Sequence, residues 1–176
     1  MTKLPLYSVG SGNKRSDALL AEVAERFGGA VPNFHRVLAN SPAALAGFSG
    51  IYLAMKSSML ASLEKEIVAL EVARRHQCPY CLTAHAKMAL AEGLSSDDLA
   101  LLLDHRPIGD PRLELVRRAT SDIMDCGGLV HQLEEGTVLG GLTAAEIVEI
   151  TAVIATFTFA SLVNNLADTP IDPMFR

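Results

Sequence analysis

The sequence predicts an all-α protein, and its hydrophobic pattern and its capping residues are the reasons. Apolar residues recur at helical spacing, and no segment of useful length alternates apolar and polar residues as a half-buried strand would. Residues typical of helix starts precede these segments, as Ser41 does before Pro42. Glycines that typically end helices follow them, as at Gly28-Gly29.

Capping residues and prolines divide the chain into a series of helices. The predicted helices are, in order, Asp17 to about Phe27 capped by Ser16, Pro42 to about Ser58, Ser62 to about Gln77, Pro79 to about Ala91, a short helix from the Ser95 capping box to about His105, Pro111 to Cys126, residues 130–138, and a long helix opening at Thr143. Pro79 separates two of them because the residue before a proline is driven away from helical angles. Residues 28–34 are expected to form a loop, with His35 as a surface histidine beside it.

Composition excludes several classes of protein. A length of 176 residues favours one domain. The net charge of −5 lacks the basic footprint of a general nucleic-acid binder. Three cysteines are too few for a secreted disulfide scaffold, and the 20% of charged residues argues against disorder.

The most apolar segment, residues 150–163, is shorter than the roughly 20 residues that span a bilayer. The first ten residues contain no continuous apolar stretch typical of a signal peptide. We therefore expect a cytoplasmic protein that neither spans a membrane nor binds nucleic acid. Phe157, Phe159 and Leu162 are expected to face another subunit.

One segment carries chemistry, the C-x-x-C-x-x-x-H motif formed by Cys78, Cys81 and His85. Cys78 is expected at the N-cap of the helix that begins at Pro79, where the helix N-terminus stabilises a thiolate. Cys81 and His85 are four residues apart and share a helix face, so the imidazole can take the thiol proton. A vicinal pair of thiols can attack and then resolve, which favours a peroxidase or a thiol–disulfide exchanger.

Two other interpretations of the motif remain. Cys78, Cys81 and His85 could be three ligands of a structural zinc site, although no fourth ligand lies nearby in sequence. Alternatively, the two thiols could simply be buried. Haem attachment is excluded because Leu82, not a histidine, follows the second cysteine.

A carboxylate could orient His85, and both Glu66 and Glu71 are candidates. On one straight helix Glu66 would lie about 18 Å from Cys78, so the chain must bend at Pro79. A symmetric hairpin would bring Glu71 rather than Glu66 opposite His85. Spacing alone does not choose between them.

The pattern Glu66-x11-Cys78-x2-Cys81-x3-His85 resembles the signature of the AhpD-like alkylhydroperoxidases, in the peroxidase-related branch of the carboxymuconolactone decarboxylase superfamily. Residues 31–33 before Ser41-Pro42, and residues 142–149 leading to Asn164-Asn165, resemble flanking segments of that family. The resemblance covers roughly residues 15–170. It implies one AhpD-like helical domain over residues 1–176, with the C-x-x-C motif at a helix N-terminus, assembled as a trimer or hexamer.

The resemblance also implies an activity. Cys81 would attack a hydroperoxide, Cys78 would resolve the product, and His85 with Glu66 would relay protons. A thiol or lipoyl-type dithiol would act as external reductant in this antioxidant cycle, with no bound metal or organic cofactor. True carboxymuconolactone decarboxylases lack the cysteine pair, so lactone decarboxylation is not expected.

Tyr80 is the one departure from the best-studied branch, which has a histidine directly before its second cysteine. A phenol with a pKa near 10 donates hydrogen bonds but shuttles protons less readily at neutral pH. The alternatives are therefore a non-catalytic redox-sensing or scaffold protein that retains the motif, or the zinc-binding structural module. Cys126, at the end of a helix, is expected to be a small buried residue.

Overall fold

The computed structural model describes residues 4–129 and 141–176, and it confirms the all-α fold. Its helices are α1 Lys14–Arg26, α2 Asn33–Leu38, α3 Pro42–Ala54, α4 Ser62–Arg75, α5 Pro79–Ala91, α6 Ser96–Leu103, α7 Pro111–Cys126 and α8 Ala144–Ala167. Short 3-10 turns cover Met55–Ser57 and Pro173–Phe175. The helix predicted at 130–138 lies outside the described residues.

Capping side chains account for most of the confirmed boundaries. The Asp110 carboxylate accepts hydrogen bonds from the first free amides of α7, and Gly127 ends that helix with φ of 58°. Thr143 and Glu146 exchange the hydrogen bonds of the predicted capping box at the start of α8. Each of these contacts satisfies backbone groups that the helix itself leaves unpaired.

Two predicted boundaries are wrong. Asn13, not Ser16, caps α1, because its side-chain oxygen accepts from the amides of Arg15 and Ser16. Ser16 is instead buried inside the helix, where its hydroxyl donates to the Ala39 carbonyl. The α3 helix ends at Ala54 and continues only as a 3-10 turn, so its last turn is tighter than predicted.

Helix α2 replaces part of the predicted loop. It spans six residues and begins after Pro32 without a side-chain cap, so the sequence offers neither a capping signal nor enough length for a visible period. Phe34 and Leu38 are buried in it. His35 is also buried, at 8% exposure, so its interpretation as a surface histidine is wrong.

Helix α4 lies at the centre and packs against α5, α7 and α8. One core cluster joins α4 to α6, α7 and α8. A second joins α1, α2 and α3 to the start of α5, and it contains Cys78, Tyr80 and Cys81 among apolar neighbours such as Phe34 and Phe48. The cysteine motif therefore lies in the interior, at the junction of α5 with the N-terminal helices.

Helix α8, with 24 residues, is long and apolar enough by length and composition to cross a membrane. Only 28% of its most apolar window is buried by the rest of the described chain. It nevertheless packs against α2, α3, α4, α5 and α7. Its buried face includes the polar side chains of Ser161 and Asn164, which fits a helix that lines an internal site.

Candidate active site

The turn between α4 and α5 places the two motif cysteines. Gln77 adopts a left-handed conformation with φ of 48°, and the Cys78 amide donates to the Ala73 carbonyl at 3.0 Å. Cys78 is the N-cap of α5, with Pro79 at the first helical position. The predicted chain break at residues 77–78 is confirmed.

Both cysteine sulfurs are buried and interact with each other. The Cys81 amide donates to Cys78 Sγ at 3.4 Å. Cys78 is 0% exposed and Cys81 is 3% exposed. The hydrogen bond from the Cys81 thiol lowers the pKa of Cys78 to about 7 and raises the pKa of Cys81, with burial opposing the first shift and adding to the second. The pair therefore loses its first proton near neutral pH, and the remaining proton lies between the two sulfurs.

Two donors from α8 point at the sulfur of Cys81. Asn164 Nδ2 lies 3.3 Å from Cys81 Sγ, and the Ser161 hydroxyl lies 3.6 Å from it. Both donors are buried, so water does not compete with them. They are suited to stabilise a thiolate on Cys81 once the shared proton has moved to Cys78. Sequence reasoning missed both roles, because 80 or more residues separate them from the motif.

Glu66 is the carboxylate that orients His85. Its Oε2 lies 2.7 Å from His85 Nδ1. The imidazole packs edge-on against the Phe157 ring, with centroids 4.4 Å apart. This hydrogen bond leaves Nε2 as the ring nitrogen able to exchange a proton elsewhere in the site.

Glu71 does not face His85, so the hairpin expectation is wrong. Five residues along an α-helix turn the side chain by about 140°, which directs Glu66 and Glu71 to different sides of α4. Glu71 is fully buried and accepts hydrogen bonds from Arg74, Arg75 and Ser121. Burial alone would raise its pKa, but these hydrogen bonds outweigh burial and the pKa of Glu71 is lowered. Its place is in a buried ion network between α4 and α7.

Tyr80 connects three parts of the chain. Its hydroxyl donates to Asp172 Oδ2 at 2.7 Å and accepts from the Phe34 amide at 3.4 Å. Asp172 in turn accepts from the Asn33 amide. Burial, with the neighbouring Asp172 carboxylate, raises the pKa of Tyr80. A neutral phenol with both of these bonds holds α2 and the C-terminal segment against α5, and it is poorly placed to shuttle protons.

A cavity of about 60 Å³ borders the reactive groups. Cys81, His85 and Asn164 lie in its wall, whereas Cys78 is absent from the described lining. The rest of the wall is mainly apolar and aromatic and comprises Phe27, Pro32, Phe34, His35, Phe48, Tyr52, Tyr80, Ala84, Met88, Phe157, Ala160 and Phe175. A ligand in this cavity would meet Cys81 first.

His35 adds a neutral imidazole to the cavity wall. Burial, assisted by the charge of Arg26, lowers the pKa of His35 to about 4, so the ring is uncharged at pH 7. Its Nδ1 has no hydrogen-bond partner among the described residues. The ring packs against Phe27, Phe34 and Phe48. His35 itself therefore offers no positive charge to an anionic ligand at pH 7, and the nearby charge belongs to Arg26, which does not line the cavity.

A larger cleft of about 460 Å³ lies on the Glu66 side of the Glu66–His85 hydrogen bond. It shares the side chains of Tyr52, Met88 and Phe157 with the inner cavity, and these three separate the two spaces. The Glu66 side chain is 17% exposed, against 7% for His85. The carboxylate is therefore the end of the pair from which a proton can reach solvent.

The zinc interpretation gains no support from the site. Over residues 4–129 and 141–176, no group of three or more His, Cys, Asp and Glu side chains is arranged to hold a metal ion. His85 is instead hydrogen-bonded to Glu66, and Cys81 to Ser161 and Asn164.

Cys126 is buried at the end of α7, as predicted, and its thiol contacts the Ile123 carbonyl.

The model of the carboxymuconolactone decarboxylase family matches residues 42–112, a range that contains Glu66, both motif cysteines and His85. This match, over 71 of the 176 residues, supports the predicted family. Ser161 and Asn164 lie outside the matched range, and the chain matches none of the curated proteins with which it was compared.

Solved structures show that the chain has the AhpD-like fold. An alkylhydroperoxidase AhpD core, an uncharacterized peroxidase-related protein from Ralstonia eutropha JMP134, superposes with TM-score 0.78 and 21% identity over 98% of this chain and 93% of its own. An uncharacterized peroxidase-related protein from Silicibacter sp. TM1040 superposes with TM-score 0.76 and 21% identity, over 99% of this chain and 95% of its own. A cysteine-to-alanine variant of the debrominase Bmp8, in complex with 2,3,4-tribromopyrrole, superposes with TM-score 0.75 and 15% identity, over 100% of this chain and 95% of its own.

Proposed function

We propose that this protein is a thiol-dependent hydroperoxide reductase. The observation that carries the proposal is the placement of Cys81 in the wall of an apolar cavity, with two buried donors at its sulfur and Cys78 directly behind it. A buried thiolate held by donors is a suitable two-electron nucleophile. The neighbouring thiol is positioned to resolve the oxidised sulfur.

The proposed cycle has three steps. The Cys81 thiolate attacks the terminal oxygen of a hydroperoxide, forming a sulfenic acid and releasing an alkoxide that is protonated to the alcohol. The Cys78 thiol then condenses with the sulfenic acid, giving a Cys78–Cys81 disulfide and water. An external thiol or lipoyl-type dithiol reduces this disulfide and restores both thiols. A supply of dithiols fits the predicted cytoplasmic location.

Glu66 and His85 would handle the protons of this cycle. His85 lies in the same wall as Cys81 and can give a proton to the leaving alkoxide. Glu66 fixes the ring and borders the larger cleft, so it can return a proton from solvent after each turnover. Tyr80 takes no proton-transfer role in the proposal because Asp172 holds its hydroxyl.

The test is turnover by the unmodified protein. We expect steady consumption of tert-butyl hydroperoxide with dithiothreitol as reductant, and a Cys78–Cys81 disulfide detected by peptide mass spectrometry when the reductant is omitted. Protein that neither consumes peroxide nor forms the disulfide would contradict the proposal. A reversible disulfide with only negligible turnover would favour the redox-sensing alternative.

Reductive debromination is the second activity to weigh, because the cavity wall is rich in aromatic side chains. An engineered apolar cavity of about 150 Å³ binds benzene. The cavity beside Cys81, at about 60 Å³, is smaller than that and would have to expand to hold a polybrominated ring. A small hydroperoxide requires less expansion of this space than a polybrominated ring, so we retain the peroxidase proposal.

Cys78 loses its proton with a pKa of about 7, and transfer of the Cys81 proton to Cys78 then supplies the attacking Cys81 thiolate, so the proposed reaction has a defined pH dependence. The thiolate is the reactive form, so the rate rises with pH through the pKa and levels off above it. We expect the rate of oxidation by tert-butyl hydroperoxide to increase roughly tenfold between pH 6 and pH 8. Stopped-flow measurement checks this, with thiolate absorbance at 240 nm compared against a variant that retains only Cys126. A midpoint near the ordinary thiol pKa of about 8.5 would contradict it.

We propose that a second copy of this chain covers the outer face of α8. Val148, Phe159, Leu162 and Leu166 are 38% to 68% exposed, and their spacing places them within about 60° of one another around the helix. Phe157, also expected on this face, points inward to the His85 ring instead, because it lies about half a turn away from Val148. The trimer or hexamer that the family resemblance implies would bury this apolar stripe.

The outer face of α8 is tested by charge substitution. We expect the unmodified protein to be oligomeric by light scattering at micromolar concentration, and the double variant Leu162→Glu, Leu166→Glu to be monomeric with unchanged helical content. Val9→Glu, at an exposed apolar residue in the N-terminal segment, is the matched control and should leave the oligomer intact. A monomeric unmodified protein would refute this assembly.

A further inference from the structure

The Asn164 side chain has one hydrogen-bonding end in use and one unused. Its Nδ2 donates to Cys81 Sγ at 3.3 Å. Its Oδ1 is buried without a partner among the described residues, although the whole residue is only 3% exposed. Buried amide oxygens are nearly always paired, so this one calls for a partner that the chain itself does not supply.

The position of the unused oxygen indicates what that partner is. Asn164 lines the cavity beside Cys81, together with His85. The oxygen and nitrogen of one amide are only about 2.2 Å apart. A ligand group that donates to Oδ1 therefore lies next to the sulfur that Nδ2 holds. The missing partner is a hydrogen-bond donor on the atom that reacts with Cys81.

We propose that Asn164 is a substrate-positioning residue that holds the thiolate of Cys81 through Nδ2 and the terminal –OH of a hydroperoxide through Oδ1. The inference rests on the proposed peroxidase activity and specifies how its substrate is recognised. A hydroperoxide carries its donor hydrogen on the oxygen that a thiolate attacks. One amide can thus align the two reacting atoms.

The chemical step balances without a further reactant. The Cys81 sulfur forms a bond to the terminal oxygen, which keeps its hydrogen and becomes the sulfenic –OH. The O–O bond breaks and its electron pair leaves on the alkoxide, which takes a proton through His85. Sulfur is oxidised by two electrons and the peroxide is reduced by two. Asn164 gains and loses no proton, so its contribution is alignment alone.

The cavity also defines the rest of the substrate. Its walls are apolar and aromatic, its volume is about 60 Å³, and its second unpartnered polar atom belongs to the neutral ring of His35. No Lys, Arg, Asp or Glu side chain lies in the described wall, and burying an unpaired charge is strongly unfavourable. The preferred substrates are compact, uncharged hydroperoxides.

The test compares two reactions of the same thiolate. The variant Asn164→Leu preserves the approximate volume of the side chain and removes both ends of the amide. Oxidation by tert-butyl hydroperoxide is compared with modification by methyl methanethiosulfonate, a small uncharged thiol reagent without a donor hydrogen. Both rate constants are corrected for the thiolate fraction measured at 240 nm.

We expect the peroxide reaction to slow by roughly 10- to 100-fold and the thiosulfonate reaction by less than about threefold. Asn165→Ala, which removes the adjacent amide on the same helix, should leave both rates within about twofold. Equal losses in the two reactions, or no loss, would overturn the role of Asn164 while leaving peroxide reduction intact. If Asn164→Leu does not fold, Asn164→Ser is measured by the same criterion. An unmodified protein inert to tert-butyl hydroperoxide would instead refute the proposed function.

Discussion

Replacing Cys81 by Ser is expected to abolish hydroperoxide turnover, with a loss of at least about 1,000-fold in kcat/KM. A serine hydroxyl is not ionised near neutral pH and is a far weaker nucleophile toward oxygen than a thiolate. The Cys81 site would keep its donors from Ser161 and Asn164 but hold no reactive sulfur. Coupled assays with tert-butyl hydroperoxide and dithiothreitol measure the loss. Cys126→Ser, at a buried thiol on another helix, is the matched control and should retain full activity.

The partner variant Cys78→Ser separates attack from resolution. We expect it to consume one equivalent of peroxide and stop, leaving a sulfenic acid on Cys81 that dimedone labels. The lowered pKa of Cys78 alone would favour Cys78 as the attacking residue. Access favours Cys81, which lies in the cavity wall. If Cys81→Ser reacts once with peroxide and Cys78→Ser does not, the attacking role belongs to Cys78.

The parts of the molecule that sequence predicts well are those with local causes. Asp110, Thr143 and Cys78 each cap a helix through contacts within three residues, so their patterns are visible in the chain itself. The break before Pro79 also follows from one residue's geometry. Cys81 and His85 share a helix face for the same reason. These local rules recovered most helix boundaries and the central motif of the site.

The parts that sequence missed depend on contacts between distant residues. Ser161 and Asn164 approach Cys81 only because α8 packs beside α5, and nothing in α8 itself indicates a thiol partner. The α2 helix, with six residues and no side-chain cap, is held by burial of its apolar residues against other helices. The position of His35 in the cavity wall follows from that packing.

The choice between Glu66 and Glu71 depends both on local helix geometry and on which helices pack against α4. Both are on α4, and residue counting across the turn places Glu71 rather than Glu66 opposite His85. Rotation about the helix axis decides, because it directs Glu66 toward α5 and Glu71 toward α7. A hairpin argument that counts residues along the chain but ignores this rotation selects the wrong carboxylate.

Matched glutamine substitutions should separate a carboxylate that serves chemistry from one that serves folding. Glu66→Gln is expected to lower kcat/KM for hydroperoxide by about 100-fold or more, because His85 loses the carboxylate that orients its ring through Nδ1. Glu66 is partly exposed, so the melting temperature should change little.

Glu71→Gln should do the reverse. It removes the negative charge that the fully buried Glu71 offers to Arg74, and it weakens the network that reaches Ser121 and Arg75. Breaking such a buried pair costs about 3 kcal/mol, which lowers the melting temperature of a chain this long by roughly 6–12 °C. Activity measured well below that temperature should stay within about twofold. If both variants lost activity equally at unchanged stability, His85 would depend on α4 as a whole and the Glu66 hydrogen bond would carry no separate catalytic role.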